Sequence, residues 1–319
     1  MIIFGLVNNG SICYLNSVLQ MLLSSESFVE LVLKNESQSK SITTFNNFFK
    51  TASTNPYLNI EDLDDMKIVN PKGFIQEFII NSKHFNLNNQ EDVGEFLIHT
   101  LDIIHEEIKR PIECSSEKIG YFKEYSYIVP CFYSYFKTVI LCVNCSKISE
   151  KYEIVSQLLV EISRDNITLA EALSNIFKKE LLEDYKCDKC DKINTSFKKI
   201  YPIIFSKNLI IVIMRFGNSR KKKIIIPSDN LDILGYNYNL KSSIFHYGLM
   251  EYGHYISVNK RNNRWFYCND TIVKEVNKIN LSNSYLLLFE RSITIPEVTT
   301  ISSLSDKSHS SSDSSSRES

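Results

Sequence analysis

Asn8-Asn9-Gly10-Ser11-Ile12-Cys13 places an amide, a glycine and a thiol within six residues near the start of the chain. After Cys13 the apolar residues Leu15, Val18, Leu19, Leu22 and Leu23 recur at helical spacing, which predicts a helix with one buried face. Gly10 permits a tight turn before that helix, and Ser11 is the candidate N-cap. A thiol in the first turn sits at the positive end of the helix dipole, where its pKa is expected to fall and the nucleophilic thiolate to be favoured. Asn8 lies on the same loop, with a side-chain amide that could point at an oxyanion. Taken alone, Cys13 also reads as a buried structural cysteine on an amphipathic helix.

A second constellation lies mid-chain. Cys142-Val143-Asn144-Cys145 and Cys187-Asp188-Lys189-Cys190 are two C-x-x-C knuckles. One such pair could be a redox couple, but two can wrap a single tetrahedral zinc in four thiolates. A site with four cysteine ligands leaves no open coordination position, so the expected role of that one zinc is structural. No organic cofactor is expected.

The segment Gly5 to Gln20 closely resembles the Cys box of the ubiquitin-specific proteases, G-L-x-N-x-G-N-T-C-Y-x-N-x-x-L-Q, with Ser11 and Ile12 in place of that family's Asn and Thr. A cysteine protease needs a histidine base and a polar residue to orient it. Of the six histidines, His84, His99, His105 and His309 lie in or before a predicted helix or in a polar tail, and His246 is the nearest competitor. His254 stands in the strand-like Tyr252-Gly253-His254-Tyr255-Ile256-Ser257-Val258, followed by Arg264-Trp265-Phe266-Tyr267-Cys268-Asn269-Asp270. Together these resemble the family's His box. Antiparallel strands joined by the polar turn Lys260 to Asn263 would return Asn269 to the side of His254.

The resemblance implies a role for each residue. Cys13 attacks the scissile carbonyl, and His254 takes its proton and passes one to the leaving amine. Asn269 or the adjacent Asp270 orients the imidazole, and Asn8 with the Cys13 backbone amide forms the oxyanion hole. Gln90-Glu91-Asp92-Val93-Gly94-Glu95 resembles the family's Q-D/H-D-x-x-E segment. Asp92 and Glu95 are spaced i, i+3 on one helix face and could dock the arginines of the ubiquitin tail, or simply favour a helix start. Gln90 belongs to the same binding segment, and His246 is expected to line the tail groove. The four cysteines match the zinc ligands of the family's fingers.

Composition agrees. The chain has 319 residues, 43% hydrophobic, which suits one large domain or two small ones. Its net charge of −1 gives no reason to expect a nucleic-acid partner. Arg220-Lys221-Lys222-Lys223 reads as a solvated loop. Eight cysteines, with Met1 to Phe4 running straight into the Cys box, suggest a reducing compartment: cytoplasmic and/or nuclear. The apolar run Leu209 to Met214 is only strand-length, so no membrane span is expected.

Helices are predicted at 13–24, 28–34, 44–51, 72–82 and 90–108, then mostly strands from 120 to 200 with a short helix at Thr168 to Phe177, then strands and turns to 292. That order implies an α+β, papain-like cysteine protease: thumb 1–115, zinc-ribbon fingers 116–200 and palm 201–292. The serine-rich 293–319 is expected to be a disordered tail. The expected activity is a thiol isopeptidase that cleaves after the C-terminal glycine of ubiquitin, with ubiquitin and ubiquitinated proteins as partners. The alternatives are a ubiquitin-binding scaffold of the same fold, weak or inactive as an enzyme, and a protease for another ubiquitin-like modifier.

Overall fold

The computed structural model describes residues 3–35, 39–53, 68–78, 85, 87, 89–111, 124–215, 224–225, 229–249 and 252–292. The serine-rich 293–319, the basic run 220–223, His84 and His309 fall outside the described residues.

The first third is helical. A short strand β1 (Gly5–Leu6) precedes α1 (Cys13–Leu22), α2 (Glu26–Lys34) and α3 (Lys40–Ser53); β2 (Ile68–Val69) pairs parallel with β1 and leads into α4 (Lys72–Phe78) and α5 (Val93–Ile108). The expected single buried face of α1 is an underestimate, because all ten of its residues are buried. The helix is sandwiched between α5 on one side and the large sheet on the other, so its polar residues Asn16, Ser17 and Gln20 must find partners inside the protein. Aromatic side chains fill the space around it. Phe28 packs edge-on against Phe45 and Phe132 with ring centroids 5.3 and 5.7 Å apart, and Tyr14 against Phe96 at 5.3 Å. The start of α5 is fixed by its N-cap Asp92, whose Oδ1 accepts from the amides of Gly94 at 2.8 Å and Glu95 at 3.0 Å.

The hairpin β3 (Arg110–Pro111) and β4 (Glu124–Tyr125) and the short α6 (Ile128–Phe132) lead to a projecting antiparallel sheet. Its strands are β5 (Ser134–Cys142), β6 (Ile148–Val155), β9 (Glu180–Lys186) and β10 (Ile193–Ile204), in the order β6-β5-β10-β9. Between the two C-x-x-C knuckles the chain leaves this sheet. There β7 (Gln157–Glu161), β8 (Ile167–Thr168) and α7 (Leu169–Ile176) bury Leu158, Val160, Ile167, Leu169 and Leu173 in a second core. Thr168 and Glu171 close a reciprocal capping box at the start of α7.

The large sheet is built from β7, β11 (Asn208–Met214), β13 (Asn230–Ile233), β14 (Tyr236–Gly248), β15 (Gly253–Arg261), β16 (Arg264–Asn269), β17 (Ile272–Val276) and β18 (Ser284–Arg291), while β12 (Ile224–Ile225) forms a separate parallel pair with β8. Its order is β17-β16-β15-β14-β18-β11-β7, with β13 on β14. The β15–β16 turn is tighter than expected. Lys260 and Arg261 stay in the ladder opposite Trp265 and Arg264, and only Asn262 and Asn263 turn, both at positive φ (50° and 61°). Strand β13 and strand β17 carry too short an apolar pattern to be legible in advance.

Helical and sheet layers are bolted together by Glu290 on β18. Its buried Oε1 accepts from the Ser27 amide at 2.9 Å and the Ser27 hydroxyl at 2.7 Å, and its other oxygen pairs with Lys241 at 3.2 Å. Replacing it by alanine removes the acceptor of the buried Ser27 amide and hydroxyl, while Lys241 keeps its pairing with Glu26. Glu290→Ala should therefore destabilise the fold by about 3 kcal/mol in chemical denaturation, and Glu290→Gln by less. An unchanged denaturation midpoint for Glu290→Ala would show that the bolt carries no load.

Candidate active site

Cys13 is the first residue of α1, as the spacing predicted, but the cap is not Ser11. The N-cap is Ile12, which has no side-chain cap of its own. Gly10, at φ 120°, turns the loop back so that Asn8 Oδ1 accepts the Ile12 amide at 3.2 Å. Asn8 thus closes the loop around the helix start.

The expected fall in the Cys13 pKa is also corrected. Burial raises it above the ordinary thiol value; the backbone amide of Tyr255 lowers it, the negative Asp270 raises it, and the amides of Tyr14 and Cys13 itself lower it. Desolvation outweighs the helix-end amides because α1 starts inside the protein rather than at its surface. The thiol is therefore the resting form, and a base is required to ionise it.

The candidate base lies on the strand that packs against α1. His254 is the second residue of β15, immediately before Tyr255, and pairs with Tyr247 across the β14–β15 ladder. Its Nε2 is 2.7 Å from Asn269 Oδ1 at the end of β16. Since an amide oxygen can only accept, Nε2 carries the proton and Nδ1 is the basic nitrogen. Asp270 Oδ2 is 4.0 Å from the same Nε2, beyond hydrogen-bond reach. Its carboxylate is engaged elsewhere: Oδ2 accepts from Asn8 Nδ2 at 2.9 Å and Oδ1 from Asn16 Nδ2 at 2.8 Å. Asp270 turns the β16–β17 hairpin at φ 49°, and its backbone oxygen accepts the Leu6 amide at 2.8 Å. Asn8 retains a second amide hydrogen, on the loop that leads into Cys13. Asn16 was not singled out from the sequence; one helical turn past Cys13, it is one of three polar residues on the helix, with Ser17 and Gln20, and nothing local sets it apart.

The residues expected to bind substrate differ in their surroundings. Gln90 clamps the backbone of Gly253, donating to its carbonyl at 2.5 Å and accepting its amide at 2.6 Å. Asp92 Oδ2 accepts the Tyr285 hydroxyl at 2.5 Å, so the carboxylate that caps α5 is engaged on both oxygens. Glu95, by contrast, is exposed. His246 is buried, with its ring 4.6 Å from that of Tyr255. It also packs on Gly253, where a Cβ would collide with its Nε2.

In the projecting sheet, Cys142, Cys145, Cys187 and Cys190 bring their sulfurs within 4.8 Å of one another. The Cys142–Cys190 and Cys145–Cys187 sulfur separations are 4.0 and 3.6 Å. Zinc–sulfur bonds of about 2.3 Å in a tetrahedron need sulfurs about 3.8 Å apart, so the cluster fits the ion. Both knuckles fold alike. The Cys142 amide donates to the Lys147 carbonyl and the Cys187 amide to the Lys192 carbonyl, with Ser146 and Asp191 at positive φ in equivalent places.

Because burial holds the thiol protonated, alkylation of Cys13 by iodoacetamide should keep accelerating as pH rises past the ordinary thiol value of 9.0. A rate that levels off near neutral pH, followed by mass spectrometry of the Cys13 peptide, would reveal a preformed thiolate instead.

Comparison with known proteins agrees with this arrangement. Residues 4–289 match the family model described as "Ubiquitin carboxyl-terminal hydrolase". The chain is 28% identical, over 92% of its length, to "Probable ubiquitin carboxyl-terminal hydrolase 4" of Schizosaccharomyces pombe, and 26% identical, over 90%, to "Ubiquitin carboxyl-terminal hydrolase 25" of Arabidopsis thaliana. It spans 59% and 47% of the lengths of those two relatives. The fold matches a chain of the solved SAGA Ubp8/Sgf11/Sus1/Sgf73 DUB module bound to ubiquitin aldehyde, with a TM-score of 0.69 at 21% identity, covering 91% of this chain and 70% of that one. The helical layer, the projecting sheet and the large sheet have the thumb, fingers and palm arrangement of a papain-like α+β fold, and the chain belongs to the ubiquitin carboxyl-terminal hydrolase family.

Proposed function

We propose that this chain is a deubiquitinating cysteine protease that hydrolyses the peptide or isopeptide bond after the C-terminal glycine of ubiquitin. The observation that carries the reading is the placement of His254: oriented through Nε2 by Asn269, on the strand β15 that packs against the helix headed by Cys13. His254 Nδ1 takes the thiol proton as the sulfur attacks the carbonyl carbon. Asn8 Nδ2 and the Cys13 amide stabilise the oxyanion, a contribution of about 10²–10³ in rate per donor. The protonated imidazole then gives its proton to the departing amine. Water, deprotonated by the same ring, hydrolyses the thioester and frees the ubiquitin carboxylate.

Within this reading Asn269 orients the base and Asp270 supports the oxyanion loop through Asn8. The carboxylate offered to an arginine of the ubiquitin tail is Glu95 rather than Asp92, whose oxygens are engaged by helix amides and Tyr285. Gln90 and His246 act on the strand that carries His254 and support the tail groove from beneath. The assignment of ubiquitin as substrate rests on the names of the family's members and on the ubiquitin aldehyde held by the solved relative.

The four clustered cysteines would hold one zinc, which supplies a covalent cross-link between the two hairpins of the fingers and no chemistry at the active site. Among the described residues the cysteines are free of disulfides, consistent with a reducing compartment, cytoplasmic or nuclear. No helix among the described residues is long and apolar enough to cross a membrane.

Cys13→Ala should lower hydrolysis of a ubiquitin–fluorophore amide by at least about a thousand-fold while ubiquitin binding persists. A ubiquitin carrying a C-terminal electrophile should label Cys13 alone, and labelling of another cysteine would sink the assignment.

Elemental analysis should find one zinc per chain. Cys187→Ser should lower both the metal content and the melting temperature, because metal binding free energy is folding free energy for so small a unit. A metal-stripped protein that melts like the native one would rule out a structural zinc.

A further inference from the structure

The geometry points to Tyr267 as a positioning residue that anchors Asn269 against His254, an inference that rests on the cysteine-protease reading above. A carboxylate in the third position would hold the imidazole by charge as well as by hydrogen bond. A carboxamide has only the hydrogen bond, and a single neutral bond is easily lost to water. Asn269 also stands at the half-buried end of β16, next to the hairpin turn, where backbone and side chain have room to move. Something must restrict it if one neutral bond is to fix the ring.

Tyr267 supplies that restriction. It lies two residues before Asn269 on the same strand, so both side chains project from one face of the sheet. Asn269 Nδ2 donates to the Tyr267 hydroxyl at 3.3 Å while its Oδ1 faces His254 Nε2 at 2.7 Å. The two ends of the carboxamide are thus held by different partners, which fixes the rotation of the group about its last bond. The same face carries Tyr247, directly opposite His254 in the β14–β15 ladder, and its half-exposed side chain is within electrostatic reach of Tyr267. Tyrosines on both neighbouring strands therefore flank the His254–Asn269 pair and limit the water that can compete for its hydrogen bond.

Tyr267→Phe keeps the ring and removes only the hydroxyl. It should lower kcat about five-fold, as expected for loss of one modest hydrogen bond, and leave KM for a ubiquitin substrate within about two-fold. Because the hydroxyl acts through Asn269, the losses should not add. The double variant Tyr267→Phe, Asn269→Ala should be no more than about two-fold slower than Asn269→Ala alone. A second readout needs no turnover: by NMR, the His254 Nε2 proton should exchange faster with water in Tyr267→Phe than in the native chain. An unchanged kcat, equal losses in both backgrounds, or an unchanged Nε2 exchange rate would each overturn the role. If the native chain failed to hydrolyse ubiquitin substrates, the functional reading would fall, while the exchange measurement would still judge the Tyr267–Asn269 contact.

Discussion

The carboxylate of Asp270 is the junction on which the catalytic geometry depends. Its two oxygens hold Asn8 from the nucleophile loop and Asn16 from α1, and its backbone oxygen holds Leu6 of β1. The strand, the loop and the helix start of the N-terminal stretch therefore meet at one turn residue far from them in sequence, which directly follows the Asn269 that bonds to His254. Hydrogen bonds to an ionised group are each worth about 1.5–3 kcal/mol, so the arrangement is well able to fix the loop relative to the sheet. The close approach of β1 to this turn is equally demanding: a Cβ on Gly5 would collide with the Thr271 carbonyl oxygen. The same carboxylate has an adverse effect, since its negative charge opposes ionisation of Cys13.

That opposition belongs to a wider compromise. A helix buried on every side is a rigid platform for a nucleophile, but burial favours the neutral thiol and demands partners for each polar side chain on the helix. Asn16 meets Asp270, and Gln20 donates to the Phe4 carbonyl at 2.8 Å and accepts from the buried Arg261. Arg261 also donates to the Gln20 main-chain oxygen at 3.1 Å, tying the last turn of α1 to the far end of the strand that carries His254. Helix and strand thus pack against each other, and Arg261 and Gln20 tie them together at one end. Relative movement of nucleophile and base is restrained by polar contacts on top of the apolar packing between the two elements. His254, by contrast, is half-exposed, and its Nδ1 is not engaged by Asn269.

The fingers are organised differently. Their sheet has few large buried side chains beyond its base, where Phe136 packs on Phe177 and Phe205 with centroids 5.9 and 5.6 Å away. Leu141, Ile148, Leu181 and Ile193 are exposed toward the tip. A two-layered core is absent there among the described residues, and a metal clip across the two knuckles is the physical means by which such a sheet can be closed.

Much of this was legible in the sequence because it is local. Thiol, glycine and amide within six residues define the nucleophile loop; the helical period of the apolar residues marks the helices around it; and a pair of asparagines between two strand-like runs marks the hairpin that returns Asn269 to His254. The paired C-x-x-C spacing likewise specifies a knuckle geometry that needs no knowledge of the rest of the fold. What only the tertiary structure decided was environment. Burial of α1 on all sides, which reversed the expected shift of the Cys13 pKa, depends on what packs against the helix and not on its own pattern. The division of labour between Asn269 and Asp270 follows from a turn at positive φ that swings one residue toward the imidazole and the next toward Asn8 and Asn16. Asp92 reads as a surface acid by composition and spacing, yet two helix amides and a tyrosine from the last strand engage its oxygens. Desolvation and long-range hydrogen bonding are set by segments far apart in the chain, 262 residues in the case of Asn8 and Asp270, and no local sequence signal encodes them.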